Sequence, residues 1–223
     1  MNPIKKISFI GVGNMGNPMA GHLVKKGFDV TVFDARAETA QAFVKQHGGK
    51  AAATLADAGQ GAEAVIFMVP SDKTVREVLF DGKLAAALSK GTLVIDMSSS
   101  DPRGTVAIGK DLAVSGIGYV DAPVMGGVIF AKDASLDIMA GGEAALVERA
   151  MPLFNALGQK VYHSGPLGSG HALKSLTNYI NACALINVIE AMTIGKKFGI
   201  DTQVMVDAIT AMCATRNHPL QKK

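Results

Sequence analysis

In the stretch "GSGHALKSLTN", Gly168 to Asn178, a lysine and an asparagine stand one helical turn apart, just behind Gly168 and Gly170. Residues at i and i+4 share a helix face. Lys174 and Asn178 can therefore reach one pocket together, while the glycines let the preceding backbone lie close to a neighbouring group. A lysine on a water-facing helix is an ordinary surface charge. Turned into a pocket, its amine can exchange a proton. Which of the two holds depends on what the rest of the chain builds around it.

A second constellation lies at the other end. "ISFIGVGNMGNPMAGHL" carries G-x-G-x-x-G as Gly11, Gly13 and Gly16, directly after a predicted strand and opening a predicted helix, with Asp34 closing the next strand. That context is what a dinucleotide requires: a tight turn at the first glycine, close approach of a pyrophosphate at the second and tight helix packing at the third. The helix N-terminus adds positive potential and free N–H groups. Gly11, Val12, Gly13, Asn14, Met15 and Gly16 are thus candidate cofactor-binding residues. Asp34 can accept both hydroxyls of an adenine ribose, and its charge opposes a 2′-phosphate. NAD is expected and NADP disfavoured, although Arg36, two positions on, works the other way. "MVPS" (Met68 to Ser71) and "DMSSSDP" (Asp96 to Pro102) place small or rigid residues at two further strand ends, where open α/β sheets bind ligands. The first adds Val69 and Pro70 to the candidates.

The elements that must hold these residues alternate along the first two thirds of the chain. Short apolar runs ("ISFI", "VTVF", "AVIFMV", "TLVIDM") are followed in turn by helical stretches over Asn14 to Lys26, Glu38 to His47, Asp72 to Leu79 and Thr105 to Val114. Strands apolar on successive positions are buried on both faces, which implies a mostly parallel sheet with helices on each side. The expected fold is a Rossmann-type doubly wound α/β domain over residues 1–166. "DAPVMGG" and "LDIMAGG" read as further strand-and-turn units, followed by a helix from Glu143 to Leu157 and the strand "KVYHSG".

Residues 167–223 read differently, as a long helix from Ala172 to Phe198 closed by Gly199, then a second helix capped by Asp201: the start of an all-α domain. The long helix is apolar nearly all round over "ACALINVIEAM" and needs covering. With the chain stopping soon after at "RNHPLQKK", either a missing remainder or a second copy must supply the cover, and a homo-oligomer of at least two chains is expected.

Composition narrows the classes. The formal charge of +3 is spread over pairs such as Lys25-Lys26 and forms no basic tract, so nucleic acid and membrane surfaces are not expected partners. Cys183 and Cys213 form no CxxC, and the five histidines show no metal-ligand spacing, so no metal is expected and a reducing cytoplasm fits. The longest uncharged run, "SLTNYINACALINVI", carries three asparagines and falls short of a membrane span.

With these residues collected, the chain resembles the β-hydroxyacid dehydrogenase family. "GVGNMGNPMAGHLVKKG" is similar to that family's cofactor signature, "DAPVMGG" to its substrate loop and "GPLGSGHALKSLTN" to its catalytic segment. The resemblance implies hydride exchange between a nicotinamide and a small hydroxy acid or the matching aldehyde or keto acid. It further implies Lys174 as the catalytic lysine handling the alcohol proton, and Asn178 as a holder of substrate. Gly126 and Gly127 would be backbone donors to its carboxylate and Ser99 a cofactor contact. Met125 stands where the family usually shows serine, and Ala134 and Ser135 stand near a usual glycine. A dinucleotide-binding module with a decayed substrate site, or an imine-reducing relative, are the alternatives.

Overall fold

The computed structural model describes residues 4–213. Its strands alternate their side chains between two cores, as the period of two in a strand requires. Ile7 and Phe9 of β1 (Lys6–Ile10), Ala64 and Ile66 of β4 (Ala64–Phe67), and Leu93 and Ile95 of β5 (Leu93–Asp96) point to one face. Ile10, Val65, Phe67 and Val94 point to the other. The first face is covered by α1 (Gly16–Lys25), α2 (Ala37–His47) and α7 (Ala144–Leu157), through Met19, Leu23, Phe43, Leu153 and Phe154. The second is covered by α4 (Asp72–Arg76) and α5 (Pro102–Val114), through Val75, Ile108 and Leu112. Phe9, Phe43, Phe67 and Phe154 are fully buried, and each such side chain contributes roughly 1.5–3 kcal/mol.

Adding β2 (Asp29–Phe33), the two-residue β3 (Lys50–Ala51) and β6 (Gly118–Asp121), the sheet runs β3-β2-β1-β4-β5-β6 with every pair parallel. The order reverses at β1, so β1 and β4 diverge at their carboxyl ends into a crevice. Beyond β6 the sheet becomes mixed. β7 (Val124–Met125) continues β6 after a break at Ala122 and Pro123, and both run antiparallel to β8 (Leu136–Gly141). Asp121 faces Gly141, Val124 faces Ile138 and Met125 faces Asp137, so the break leaves the register intact. β9 (Gly158–Gly165) pairs parallel with β8.

The doubly wound, mostly parallel sheet expected from the apolar runs is the one observed, with differences at element ends. α5 starts at Pro102 rather than Thr105, because Asp101 caps it by accepting the Arg103 N–H at 2.8 Å and proline tolerates the first helical position. The helix after Ser71 passes at Glu77 into a π-helical turn, Glu77–Asp81. A short helix, α3 (Leu55–Gly59), has a capping box between Thr54 and Asp57 that the apolar periodicity does not reveal.

Contacts divide the chain into units Met1–Ser175 and Leu176–Lys223. The division falls inside α8 (Ser169–Lys197). In the second unit α8 ends before Gly199, and α9 (Thr202–Cys213) is capped as expected by Asp201, whose Oδ1 accepts the N–H groups of Gln203 and Val204. Gly195 lets the two helices meet, since a Cβ there would strike the Met205 sulfur. Much of the rest of that unit's apolar surface faces outward: Leu185, Ile186, Val188 and Ile189 are exposed. No helix among the described residues is long and apolar enough to cross a membrane.

Two described non-glycine residues take a left-handed backbone, Lys83 at φ 58° and Ala134, and at Ala134 a helix end requires it. The helix α6 (Gly127–Lys132) closes with the Ser135 N–H bonded to the Phe130 carbonyl and the Ala134 N–H to that of Ala131, the Schellman pattern. That pattern needs a left-handed residue after the cap, and Ala134 takes it at φ 51°. A left-handed alanine costs roughly 1–2 kcal/mol. Ala134→Gly is therefore expected to stabilise the protein by about 1 kcal/mol, raising the melting temperature about 2–4 °C. Calorimetric unfolding of the two proteins checks this; an unchanged or lower midpoint contradicts it.

Candidate active site

The glycine turn leaves β1 at the crevice. Gly11 sits at φ 90°, with its N–H bonded to the Phe33 carbonyl at 2.8 Å, and a Cβ there would strike the Met68 carbonyl. A Cβ on Gly16 would strike the Gly11 carbonyl, so the third glycine is what lets α1 start against the turn. Nothing lies within 4 Å of where a Cβ of Gly13 would stand. The second glycine thus keeps open the approach that a pyrophosphate would take.

A cleft of about 550 Å³ runs from this turn between Phe33, Asp34 and Ala35 on one side and Met68, Val69 and Pro70 on the other. Asn14 and Met15 also line it, and Val12 is buried beneath. Asp34 accepts the Val12 N–H at 3.1 Å on one oxygen and the Arg36 N–H at 3.0 Å on the other, with the Arg36 Nε 3.9 Å away. Each oxygen keeps a lone pair for a further donor. The arrangement suits a ribose diol, and the cleft fits a dinucleotide.

The ends of β4 and β5 are tied together. Ser98 Oγ accepts the Val69 N–H at 3.0 Å, while Asp96 accepts the Ser98 N–H and the Ser100 hydroxyl, each at 2.9 Å. Ser98 and Ser100 are buried and Ser99 between them is exposed.

Lys174 lies in the second turn of α8, half-buried, with Nζ 3.5 Å from the Met125 sulfur. Burial lowers its pKa from the usual lysine value. Met125 closes β7 and leads into Gly126 and Gly127, at φ 125° and 71°. A Cβ on Gly126 would collide with the Phe130 side chain. The structure thus brings Lys174 to Met125 at the mouth of the Gly126–Gly127 turn. Asn178 falls in the second unit, where it is exposed.

Several residues the motifs did not single out hold this arrangement. Asp121, fully buried at the end of β6, accepts the N–H groups of Gly168 and His171, both at 2.7 Å. The buried His171 ring donates from Nε2 to the Ser98 carbonyl at 3.0 Å and pairs through Nδ1 with Thr105 Oγ1 at 2.7 Å. Tyr119 donates to Asp96 at 3.4 Å, and burial beside the acids pushes its phenol well above the usual value. The available signal was the acid closing each apolar strand, in "LVID" and "GYVD".

The sheet order and its glycine turn define a dinucleotide-binding α/β protein. Residues 6–165 match the family described as the NAD binding domain of 6-phosphogluconate dehydrogenase. Residues 168–222 match that described as NAD-binding of NADP-dependent 3-hydroxyisobutyrate dehydrogenase. The NAD-dependent L-serine dehydrogenase of Pseudomonas aeruginosa is 38% identical over 205 residues, covering 92% of this chain and 68% of that protein. The mitochondrial 3-hydroxyisobutyrate dehydrogenase of Rattus norvegicus is 34% identical over 200 residues, covering 89% of this chain and 59% of that protein. Among solved structures, Mycobacterium tuberculosis 3-hydroxyisobutyrate dehydrogenase with L-serine superimposes with a TM-score of 0.89 at 33% identity, covering 96% of this chain and 72% of that one. The chain belongs to the β-hydroxyacid dehydrogenase family, whose members here include NAD-dependent dehydrogenases.

One matched description names NADP, whereas Asp34 argues for NAD. A ribose phosphate would meet the Asp34 carboxylate at contact distance, and juxtaposed like charges cost several kcal/mol. Calorimetry is expected to show tighter NAD than NADP binding. Asp34→Asn should move the affinity ratio toward NADP by about tenfold or more. Tighter NADP binding by the unmodified protein would refute the assignment.

Proposed function

We propose that this chain oxidises a small β-hydroxy acid with NAD, or reduces the matching semialdehyde or keto acid, with Lys174 as general acid/base. The observation that carries this is the half-buried Lys174 amine, 3.5 Å from Met125 at the head of the Gly126–Gly127 turn. His171, in the preceding turn of the same helix, bonds to the Ser98 carbonyl, and Ser98 in turn holds Val69 of the dinucleotide cleft. The lysine therefore belongs to the sheet edge that carries that cleft.

Bound NAD supplies the hydride acceptor. Gly11 to Gly16 hold its pyrophosphate, Asp34 its ribose, and Val69, Pro70 and Ser99 line its path. The backbone N–H groups of Gly126 and Gly127 hold the substrate carboxylate. As the hydride leaves the alcohol carbon with its electron pair, the Lys174 amine takes the hydroxyl proton. In the reverse direction the ammonium returns it to the forming alkoxide. Met125 puts an adaptable thioether against the substrate where a hydroxyl is the family's usual group.

The sign of the pH dependence follows. Oxidation needs the neutral amine, so its rate should climb as pH rises through the lowered Lys174 value; reduction needs the ammonium and should fall over the same range. Lys174→Ala should lower kcat at least ~100-fold, with NAD affinity nearly unchanged. The measurement is steady-state turnover over a panel of short β-hydroxy acids, L-serine and 3-hydroxyisobutyrate among them. Full activity without the Lys174 amine would remove the proposal.

The outward-facing Leu185, Ile186, Val188 and Ile189 support assembly through the second unit. We read a second copy of this chain as their cover, in a cytoplasmic setting where Cys183 stays a free thiol. Light scattering should give at least a dimer; a well-behaved monomer at micromolar concentration contradicts it.

A further inference from the structure

We propose that Asp121 is the positioning residue for Lys174: from the end of β6 it caps the first turn of α8 and so sets where the lysine stands. This rests on the reading of Lys174 as the proton-transfer group.

A helix leaves its first N–H groups without intrahelical partners, and the residue at the cap position usually answers one of them with its own side chain. At the head of α8 that position is Gly168, whose carbonyl already accepts the Ala172 N–H and which has no side chain to offer. The cap comes instead from 47 residues earlier in the chain. Asp121 Oδ1 takes the Gly168 N–H and Oδ2 the His171 N–H, both at 2.7 Å. Such short bonds are characteristic of an ionised acceptor, and a carboxylate at this end also meets the favourable end of the helix dipole. Burial pushes the Asp121 carboxyl up, and the two N–H bonds pull against that.

The surroundings leave this turn no slack. A Cβ on Gly170 would strike the Met139 carbonyl and lie 2.9 Å from Asp121 Oδ2, and a Cβ on Gly141 would lie 2.7 Å from the Gly170 nitrogen. His171 is pinned a second time by Ser98 and Thr105. Lys174 follows His171 by one turn on the same face, so a displacement of the capped turn is carried to the amine. Asp121 also shares one strand register with Met125, the neighbour of that amine. One carboxylate thus references the lysine to the wall it faces. Asparagine cannot replace it, because one acceptor oxygen would serve two donors and its NH₂ would confront the other N–H.

The test compares Asp121→Asn with Phe43→Leu, a core change in α2 that lowers stability without touching this turn. For Asp121→Asn, kcat of oxidation should fall about ten- to a hundredfold, with NAD affinity within about twofold by the same reasoning that assigns NAD to the glycine turn. The pH at which oxidation accelerates should move up, toward that of an exposed lysine. Phe43→Leu should leave the pH profile in place. The unmodified protein provides a check that needs no variant. Its Gly168 and His171 amide protons should resonate downfield and exchange with solvent as slowly as those of β6. Exchange as fast as at an open helix end overturns the cap, and so does a folded Asp121→Asn protein with unaltered kcat and pH profile. If Lys174→Ala keeps full activity, the lysine reading fails and this inference fails with it. If Lys174→Ala is inactive while Asp121→Asn is normal, only the inference fails.

Discussion

A carboxylate buried at the end of a strand must find donors or be neutralised, because an unpaired charge out of water costs far more than any one fold contact returns. Asp96 and Asp121 are both fully buried at the carboxyl ends of neighbouring strands. Their donors come from Ser98 and Ser100 on one side and from Gly168 and His171 on the other. Asp34, just past β2, does the same with Val12 and Arg36. At each of these strands, an acid recruits the segment that goes on to form the candidate site. Loops that would otherwise be loosely held inherit the rigidity of the sheet.

That constraint explains why the site is built from backbone as much as from side chains. The glycine turn lies against the Met68 carbonyl, and the Val69 N–H is held by Ser98. These are short, directional contacts between elements far apart in sequence, and they need the strand order that places β1, β4, β5 and β6 side by side. The two apolar cores then fix the sheet, with each strand giving alternate residues to each face.

Much of this was legible in the chain itself. The apolar runs marked the parallel strands because burial on both faces removes the alternation that a half-exposed strand shows. The glycine spacing with Asp34 marked the dinucleotide turn because few other arrangements need those three small residues. Asp96, Asp121 and His171 were not legible as a network, since each is a single polar letter in an apolar or mixed run and its value comes only from partners brought together by the fold. The two-residue β3 and five-residue α3 are too short to show a period. The early start of α5 hangs on a cap rather than on a pattern. The left-handed backbone at Ala134 was not legible either, since an alanine carries no signal of a positive φ.

The unbroken register across Ala122 and Pro123 bears on how this scaffold can diversify. Because side chains alternate faces along a strand, adding or removing one residue between Asp121 and Met125 would turn position 125 to the opposite side of the sheet. A change of loop length there would not widen or narrow the space beside Lys174; it would take the wall away. Descendants of this chain can therefore vary the side chain that faces Lys174 by exchanging one residue for another, while the spacing of the segment stays closed to variation.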